Sequence, residues 1–286
     1  MSSSDFKSFF KNRRLLIATK HQKEIVLMPL LKKELGVKCI VPENFDTDLL
    51  GTFTGEIERT EDPVTTLRKK CKTAMHLYGF DLAIASEGSF GPHPNLYFVP
   101  ADDEWIILID LKNKIEILAR EISTETNYNS TAIHSEKELL EFAQKICFPS
   151  HKLILRARRK GGEKIVKDLQ DIESMLETFK RLKKEFDDLS VETDMRAMNN
   201  PTRMKIIKKA CENLIQDIKS CCPHCGIPGF QVKESESGLP CSLCGSPTRS
   251  ILKIFKRCMQ CNHSVEIKFP KGQQHEDPMY CDYCNP

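Results

Sequence analysis

The sequence predicts a protein of mixed α/β class in three parts: an α/β (α+β) N-terminal domain with a mixed sheet, a helical hairpin connector and a small β-rich module. Three observations predict this arrangement. Strand-like and helix-like patterns alternate over residues 10–157. Apolar residues recur at helical spacing over residues 162–220. Four Cys-x-x-Cys pairs lie within residues 221–286, a stretch with little apolar sequence for a core of its own.

Apolar runs and helix-ending residues mark each element of the first domain. The predicted strands cover residues 15–18, 38–41, 81–85, 105–111, 115–122 and 152–157. The predicted helices cover residues 25–35, 63–78 and 135–146. Gly36 and Gly79 suit helix ends, and Pro63 suits a first helical turn. Ser135 and Glu138 have the spacing of a capping box.

Two helices are predicted for the connector, residues 162–220. The first is indicated by apolar residues three and four positions apart, from Ile165 to Phe186. The second begins at Asn200 and Pro201, where Asn is a favourable cap and Pro a favourable first residue. We expect the two helices to form a hairpin that packs against the α/β domain.

The composition gives an expectation about location. The first fourteen residues lack the apolar segment of a signal peptide, and no run of about 18 apolar residues occurs. We therefore expect a cytoplasmic protein without a membrane span. The net charge of +3 decides little about partners.

The cysteines indicate metal binding. Of thirteen cysteines, eight form the four pairs. These are Cys222, Cys225, Cys241, Cys244, Cys258, Cys261, Cys281 and Cys284. Two such pairs supply four thiolates to one tetrahedral zinc ion at about 2.3 Å, which leaves no position for water. The module is therefore predicted to be a double zinc ribbon that holds two structural zinc ions.

Each Cys-x-x-Cys pair forms a turn that is called a knuckle here. The spacing alone does not determine which two knuckles share a zinc ion, because it allows sequential or nested arrangements. The turn-forming residues 235–238 favour the sequential one, in which the first knuckle joins the second and the third joins the fourth. Residues 248–257 contain no turn residue and are predicted to form a strand that separates the two sites.

Three polar segments of the first domain are candidates for binding a ligand or phosphate. The first, between a strand and a helix, contains Lys20, His21 and Lys23. The second, residues 51–62, contains Glu56 and Glu61. The third follows the apolar strand 81–85, where an acid and small polar residues suit a metal-bound phosphate or a small ligand. Its candidate residues are Ser86, Glu87, Ser89 and His93.

Several motifs resemble an uncharacterised family, domain of unknown function 6671. They are residues 18–21 (ATKH), 51–56 (GTFTGE), 86–94 (SEGSFGPHP) and 200–203 (NPTR), together with the final CxxCNP. The resemblance covers nearly the whole chain. It implies the fold and the zinc module but no activity.

The order of the first elements is also similar to that of inosine-triphosphatase-type nucleoside triphosphate pyrophosphatases. Those enzymes have a lysine after the first strand, acids before a helix with a Lys-x-x-x-Ala pattern, and an acidic segment after the next strand. The likeness implies that Lys23 binds triphosphate and that Glu61 and Glu87 hold magnesium. The later base-recognition motifs of that family have no match here, and the cysteine module is foreign to it.

Three functions follow as hypotheses. In the first, the α/β domain binds a small phosphorylated ligand and the zinc module is structural. The second is magnesium-dependent hydrolysis of nucleoside triphosphates. The third is binding of nucleic acid or of a protein by the ribbons. Binding of nucleic acid would require the basic residues between Arg156 and Lys167 to share a face with Arg249, Lys253 and Arg257. A polar group before the last helix, Asp194, Arg196, Asn199 and Arg203, is a secondary candidate for anchoring a ligand or the zinc module.

Overall fold

The fold consists of two sheets with their helices and a three-stranded ribbon, seen in a computed structural model that describes residues 6–42, 62–160 and 162–286. Glu56 and Glu61 lie outside the described residues. The strands are β1 (Arg14–Ala18), β2 (Lys38–Ile40), β3 (Leu82–Pro92), β4 (Pro100–Asp110), β5 (Ile115–Ser123), β6 (Ser130–Ala132), β7 (Leu153–Arg159), β8 (Gly162–Val166), β9 (Asp188–Thr193), β10 (Gln231–Ser237), β11 (Ile251–Arg257) and β12 (Ser264–Lys268). The α-helices are α1 (Glu24–Leu35), α2 (Pro63–Tyr78), α3 (Glu136–Lys145), α4 (Ile172–Glu185) and α5 (Pro201–Lys219).

The first sheet has the strand order β2-β1-β3-β4-β5 and is mixed, as predicted. Strand β1 pairs in parallel with β2 and β3, whereas β4 and β5 continue the sheet as antiparallel hairpins. Helices α1 and α5 cover one face, where Leu27 and Leu214 share a core with Ile84. Helix α2 covers the other face, where Leu67 packs with Ala85.

The helices that connect the parallel strands lie on opposite faces of the first sheet. The chain leaves β1 through α1 on one face to reach β2, and it enters β3 from α2 on the opposite face. Strands β2 and β3 thus lie on either side of β1. In open α/β sheets, ligands bind outside the carboxyl ends of the strands at such a reversal of strand order. In this sheet the edge is formed by β1 and β3.

The second sheet is antiparallel and has the order β6-β9-β7-β8. Helices α3 and α4 supply its core, in which Leu139 and Phe179 pack with Leu155 and Val191. Strand β7, predicted as the last strand of the first domain, belongs to this second sheet.

The predicted helical hairpin is wrong, although both of its helices exist. Strands β8 and β9 interrupt the segment, and α4 and α5 pack on different sheets. Of the first predicted helix, Ile165 to Phe186, only the part within α4 is helical, and Ile165 itself lies on β8. In β9 burial alternates with a period of two, which buries Leu189 and Val191 and is the pattern of a strand. The sequence pattern indicated the helices but not the surface on which each one packs.

The C-terminal ribbon is an antiparallel sheet of order β10-β11-β12, joined directly to α5. The Gln231 amide donates to the Leu118 carbonyl oxygen of β5 at 2.9 Å and to Asp217 of α5 at 2.8 Å. A Cβ added to Gly229 would lie 2.8 Å from the Ile117 side chain, so the ribbon backbone closely approaches the first sheet. None of the helices in the described ranges is long and apolar enough to cross a membrane.

Candidate ligand site and cysteine metal centres

The turn between β1 and α1 has an unusual backbone. His21 and Gln22 have φ angles of 64° and 60°, in the left-handed region that non-glycine residues seldom adopt. Lys23 follows directly and is only 4% exposed, at the N-terminus of α1. Its Nζ lies 3.6 Å from Glu104 Oε2. Burial lowers the pKa of Lys23 to about 8, against the opposing effect of the Glu104 charge.

Glu104 joins Lys23 to a second buried cation. The Nε of Arg203, on α5, donates to Glu104 Oε1 at 2.6 Å, and both side chains are almost completely buried. Gly88 lies opposite Glu104 on the neighbouring strand. A Cβ at Gly88 would lie 2.3 Å from Glu104 Oε1 and 2.6 Å from Arg203 Nη2. Position 88 therefore requires glycine, because the two side chains lie against its backbone.

Asp102 is the least compensated charge of the site. It lies two residues before Glu104 on β4 and is 1% exposed. Neither of its carboxylate oxygens accepts a hydrogen bond within the part of the chain that the structure describes. Burial, and next the negative charge of Glu104, raise the pKa of Asp102 to about 8. A buried carboxyl group without a partner is costly, so an unpaired Asp102 requires an explanation.

A second ion pair lies on the opposite face of the sheet. Lys70, on α2, contacts Glu87 of β3 at 2.5 Å, and both side chains are buried. The charge of Glu87 also acts to raise the pKa of Lys23. Three cations and three carboxylates thus surround this edge. They are Lys23, Lys70, Arg203, Glu87, Asp102 and Glu104.

The start of α5 is held by a hydrogen-bonded network. Asn200 caps the helix by accepting from Arg203 N–H at 3.0 Å, and it donates to Asn127 Oδ1 at 2.8 Å. Arg203 also donates to the Met195 carbonyl oxygen. Asp194 accepts from both Arg196 and Asn199. The polar group predicted here therefore positions α5, and of its four members Arg203 reaches the site.

The cysteines converge in two groups of four. One contains Cys222, Cys225, Cys258 and Cys261, and the other contains Cys241, Cys244, Cys281 and Cys284. Within each group all sulfur atoms lie within 4.8 Å of one another, and the nearest contacts are 3.6 to 3.8 Å. Four sulfurs at about 2.3 Å from one tetrahedral ion are separated by about 3.8 Å, whereas a disulfide would require about 2.05 Å. Each group therefore fits a metal ion.

The predicted sequential pairing of the knuckles is wrong. The first knuckle joins the third, and the second joins the fourth. Strand β10 continues through the predicted turn as far as Ser237, and its antiparallel register places Gln231 opposite Arg257. The third knuckle therefore returns beside the first, while the second lies at the far end of the sheet. The predicted strand between the second and third knuckles is confirmed in position as β11.

The sequence matches DUF6671, a domain of unknown function, over residues 70–286. The chain belongs to the DUF6671 family. The DUF6671 match contains both cysteine groups and the buried residues on β3, β4 and α5. It begins after β1 and α1, so Lys23 lies outside it. No curated protein matches the chain significantly.

The structure brings together some of the residues predicted as the site of this DUF6671 protein. Lys23, Ser86 and Glu87 lie at the shared edge of β1 and β3, and Ser86 Oγ is buried without a hydrogen-bond partner among the described residues. Lys20 and His21 lie on the adjoining turn. Ser89 is paired opposite Asp103 on β4.

His93 instead supports a local turn, where its Nδ1 accepts from the N–H groups of Asn95 and Leu96.

Sequence reasoning missed three acidic or basic residues of the candidate site. Asp102 and Glu104 precede the strand predicted at 105–111, yet they alternate in phase with Ile106 and Leu108, which face the core. That two-residue period was a usable signal. Lys70 appeared only as part of the Lys-x-x-x-Ala pattern, although it lies on the same helix face as Leu67 and Ala74.

Proposed function

We propose that the protein binds a small phosphorylated ligand at the carboxyl ends of β1 and β3, and that its C-terminal module holds two structural zinc ions. The observation that carries the first part is the burial of Lys23 at the N-terminus of α1, where the strand order reverses. A buried lysine at a helix N-terminus combines a positive side chain with backbone N–H groups, both of which favour phosphate.

The contact between Lys23 and Glu104 still allows Lys23 to bind phosphate. The distance of 3.6 Å to Glu104 is longer than a hydrogen bond, and Glu104 is already bound by Arg203 at 2.6 Å. A phosphate oxygen at the turn would restore to Lys23 the interactions that burial removes. The left-handed backbone at His21 and Gln22 supports the proposal, because such conformations cluster at ligand sites.

Direct binding measurements test this function. Titration calorimetry with inorganic phosphate, pyrophosphate and nucleoside mono- and triphosphates should detect binding of at least one compound to the wild-type protein. Lys23→Gln should weaken that binding by at least about tenfold, because it removes the buried charge. Lys33→Gln is the matched control, since Lys33 lies on the same helix and its side chain is 80% exposed. Binding by none of these compounds, or equal binding by Lys23→Gln, would contradict the proposal.

The zinc part of the proposal rests on the two cysteine groups. All four coordination positions of each group would be occupied by thiolates, which suits a structural ion and not a catalytic one. All thirteen cysteines, each within the described residues, are free of disulfides, and this supports a reducing compartment such as the cytoplasm.

Hydrolysis is a second candidate, favoured by the presence of Glu87 in the same cluster as Lys23. Magnesium would supply charge neutralisation and an activated water, and Glu87 is the predicted ligand that the described residues contain. Glu87→Gln should then abolish release of pyrophosphate from a panel of nucleoside triphosphates while the zinc content stays unchanged. If the wild-type protein releases none from any of them, hydrolysis is excluded but ligand binding is not.

For the ribbon, the exposed apolar side chains favour a protein partner over nucleic acid. Leu243 and Tyr283 lie in the Cys-x-x-Cys pairs of the outer cysteine group, which is the group of Cys241, Cys244, Cys281 and Cys284, and they are 74% and 77% exposed. Among the basic residues predicted for nucleic acid, Arg156 pairs with Glu192 at 2.9 Å and Arg158 with Glu163 at 2.8 Å. Binding of RNA or DNA that weakens steeply with salt would favour the nucleic-acid alternative instead.

A further inference from the structure

Asp102 and Asn127 each bury polar atoms that have no partner among the described residues. Both oxygens of Asp102 and the Nδ2 of Asn127 are buried without a hydrogen bond to any described residue. The Oδ1 of Asn127 already accepts from Asn200, so its amide orientation is fixed with Nδ2 as the unsatisfied donor. Two acceptors on one residue and one donor on the other form a complementary set.

Aromatic side chains connect the two residues. Phe90 lies directly opposite Asp102 on the neighbouring strand, and directly opposite residues have Cβ atoms about 5 Å apart on the same face. Tyr128, next to Asn127, stacks on Phe90 with ring centroids 5.7 Å apart. The guanidinium of Arg203 lies 4.9 Å from the centre of the same Phe90 ring. Phe90 therefore links Asp102 to the segment that contains Asn127 and Tyr128, on the α5 side of the sheet.

The geometry points to a second part of the ligand: a planar ring with a cyclic guanidine edge beside a carbonyl, as in guanine or a pterin, bound by Asp102 and Asn127. This inference rests on the proposed function, because it describes the other end of the same phosphorylated ligand. The ring N–H and the adjacent exocyclic amino N–H would donate in parallel to the two oxygens of the ionised Asp102, and Asn127 Nδ2 would donate to the ring carbonyl. Tyr128, 41% exposed, offers a stacking surface.

The spacing agrees with one ligand spanning both parts. Glu104, which contacts Lys23, lies two residues from Asp102 on the same face of β4. Two residues of a strand span about 7 Å, which leaves room for a sugar or a similar linker between ring and phosphate. A carboxylate that accepts two parallel N–H groups discriminates strongly against rings that lack one or both of them.

Binding of guanosine, inosine and adenosine monophosphates, with inorganic phosphate as the ring-free probe, tests the inference by calorimetry. The wild-type protein should bind guanosine monophosphate at least about tenfold more tightly than the inosine compound, which lacks the amino group, and the adenosine compound should bind more weakly still. Asp102→Asn should reduce the preference for guanosine to less than about threefold.

Controls separate this inference from the proposed function. Asp103→Asn is the matched variant, because Asp103 is the next residue on β4 but pairs with Arg120 instead. It should keep the preference for guanosine. Lys23→Gln should weaken binding of all phosphorylated probes while the order of the rings stays the same. Equal wild-type affinity for the three nucleotides, or an unchanged preference in Asp102→Asn, would overturn the inference alone. Failure of every probe, phosphate included, would overturn the proposed function as well.

Discussion

Arg203 shows how a single residue can be held in the interior with its charge intact. Its guanidinium donates to Glu104 and to the Met195 carbonyl oxygen and lies against the ring of Phe90. Gly88 provides the space for this arrangement, since any Cβ there would collide with both charged side chains. Removing one member of a buried ion pair costs about 3–5 kcal/mol, because the other charge remains buried without compensation. Loss of either Glu104 or Arg203 alone should therefore destabilise the fold.

Asp102 is expected to make stability depend on pH. Its folded-state pKa of about 8 is higher than the ordinary value of an aspartate. Between about pH 4 and 8 the folded protein therefore binds more protons than the unfolded chain, and stability falls as pH rises through this interval, by at most about 1.4 kcal/mol per pH unit. The charged groups around it are Glu104, Arg203, Lys23 and Asp103.

The comparison of wild type with Asp102→Asn by urea denaturation at pH 5 and pH 7.5 checks this expectation. Asparagine resembles the neutral carboxyl, so the variant should gain stability relative to wild type as the pH rises. Both pH values lie below about 8, the lowered pKa of Lys23. Only above that pH would Lys23 make stability rise with pH. A stability difference that is the same at both pH values would contradict the prediction.

The site residues that the sequence could indicate are those that follow a strand directly. Lys23 and Glu87 were found in this way, because the carboxyl ends of parallel strands meet at one edge. Asp102 and Glu104 were missed because β4 begins at Pro100, five residues before the predicted strand. The contact between Arg203 and Glu104 joins residues 99 positions apart, and no local pattern encodes it.

At the scale of elements, the cysteine spacing in the ribbon indicates which residues could bind metal, but it does not determine which knuckles join. Two residues between paired cysteines are enough to identify eight candidate metal ligands, and these cysteines do converge in two groups of four. The choice of partners depends on the register between β10 and β11, which places the ends of those strands side by side. The connector gives the same lesson, because the amphipathic patterns of α4 and α5 predicted helices correctly but did not reveal that each covers a different sheet.

The crossed pairing predicts opposite outcomes for two variants with four serine substitutions each. Replacing Cys222, Cys225, Cys258 and Cys261 together removes one complete group, so the protein should retain about one zinc ion per chain. Replacing Cys222, Cys225, Cys241 and Cys244 removes half of each group and should leave almost none. Zinc content by elemental analysis, after gel filtration in reducing buffer, distinguishes them. Sequential pairing would reverse the two results.

In the whole molecule, the two sheets with their helices differ from the ribbon in the size of the apolar core that stabilises them. The two sheets of the α/β part each have an extensive apolar core. The ribbon has one small cluster, in which the buried members are Cys222, Phe230 and Cys258. Two of the three belong to a cysteine group that could hold a metal ion, so the ribbon has little hydrophobic core and would depend on the proposed zinc ions for its stability.

Removal of zinc should therefore unfold the ribbon and leave the α/β part folded. After treatment with a chelator, limited proteolysis with mass spectrometry should show rapid cleavage beyond residue 220 and persistent protection of β3, β4 and α5. The control is the same chelator saturated with zinc beforehand. Continued protection of the ribbon in metal-free protein, or simultaneous loss of the α/β part, would show that the metal does not have this local role.

The crossed arrangement of the knuckles also determines when each cysteine group can form during synthesis on the ribosome. The group that contains Cys222 cannot close until Cys261 has left the exit tunnel, and the group that contains Cys241 cannot close until Cys284 has left it. For most of that interval the earlier thiolates are exposed in pairs, each able to capture a metal ion incompletely or to be oxidised. Translation in a cell short of zinc would therefore leave the nascent chain vulnerable at four thiolates before either group could close.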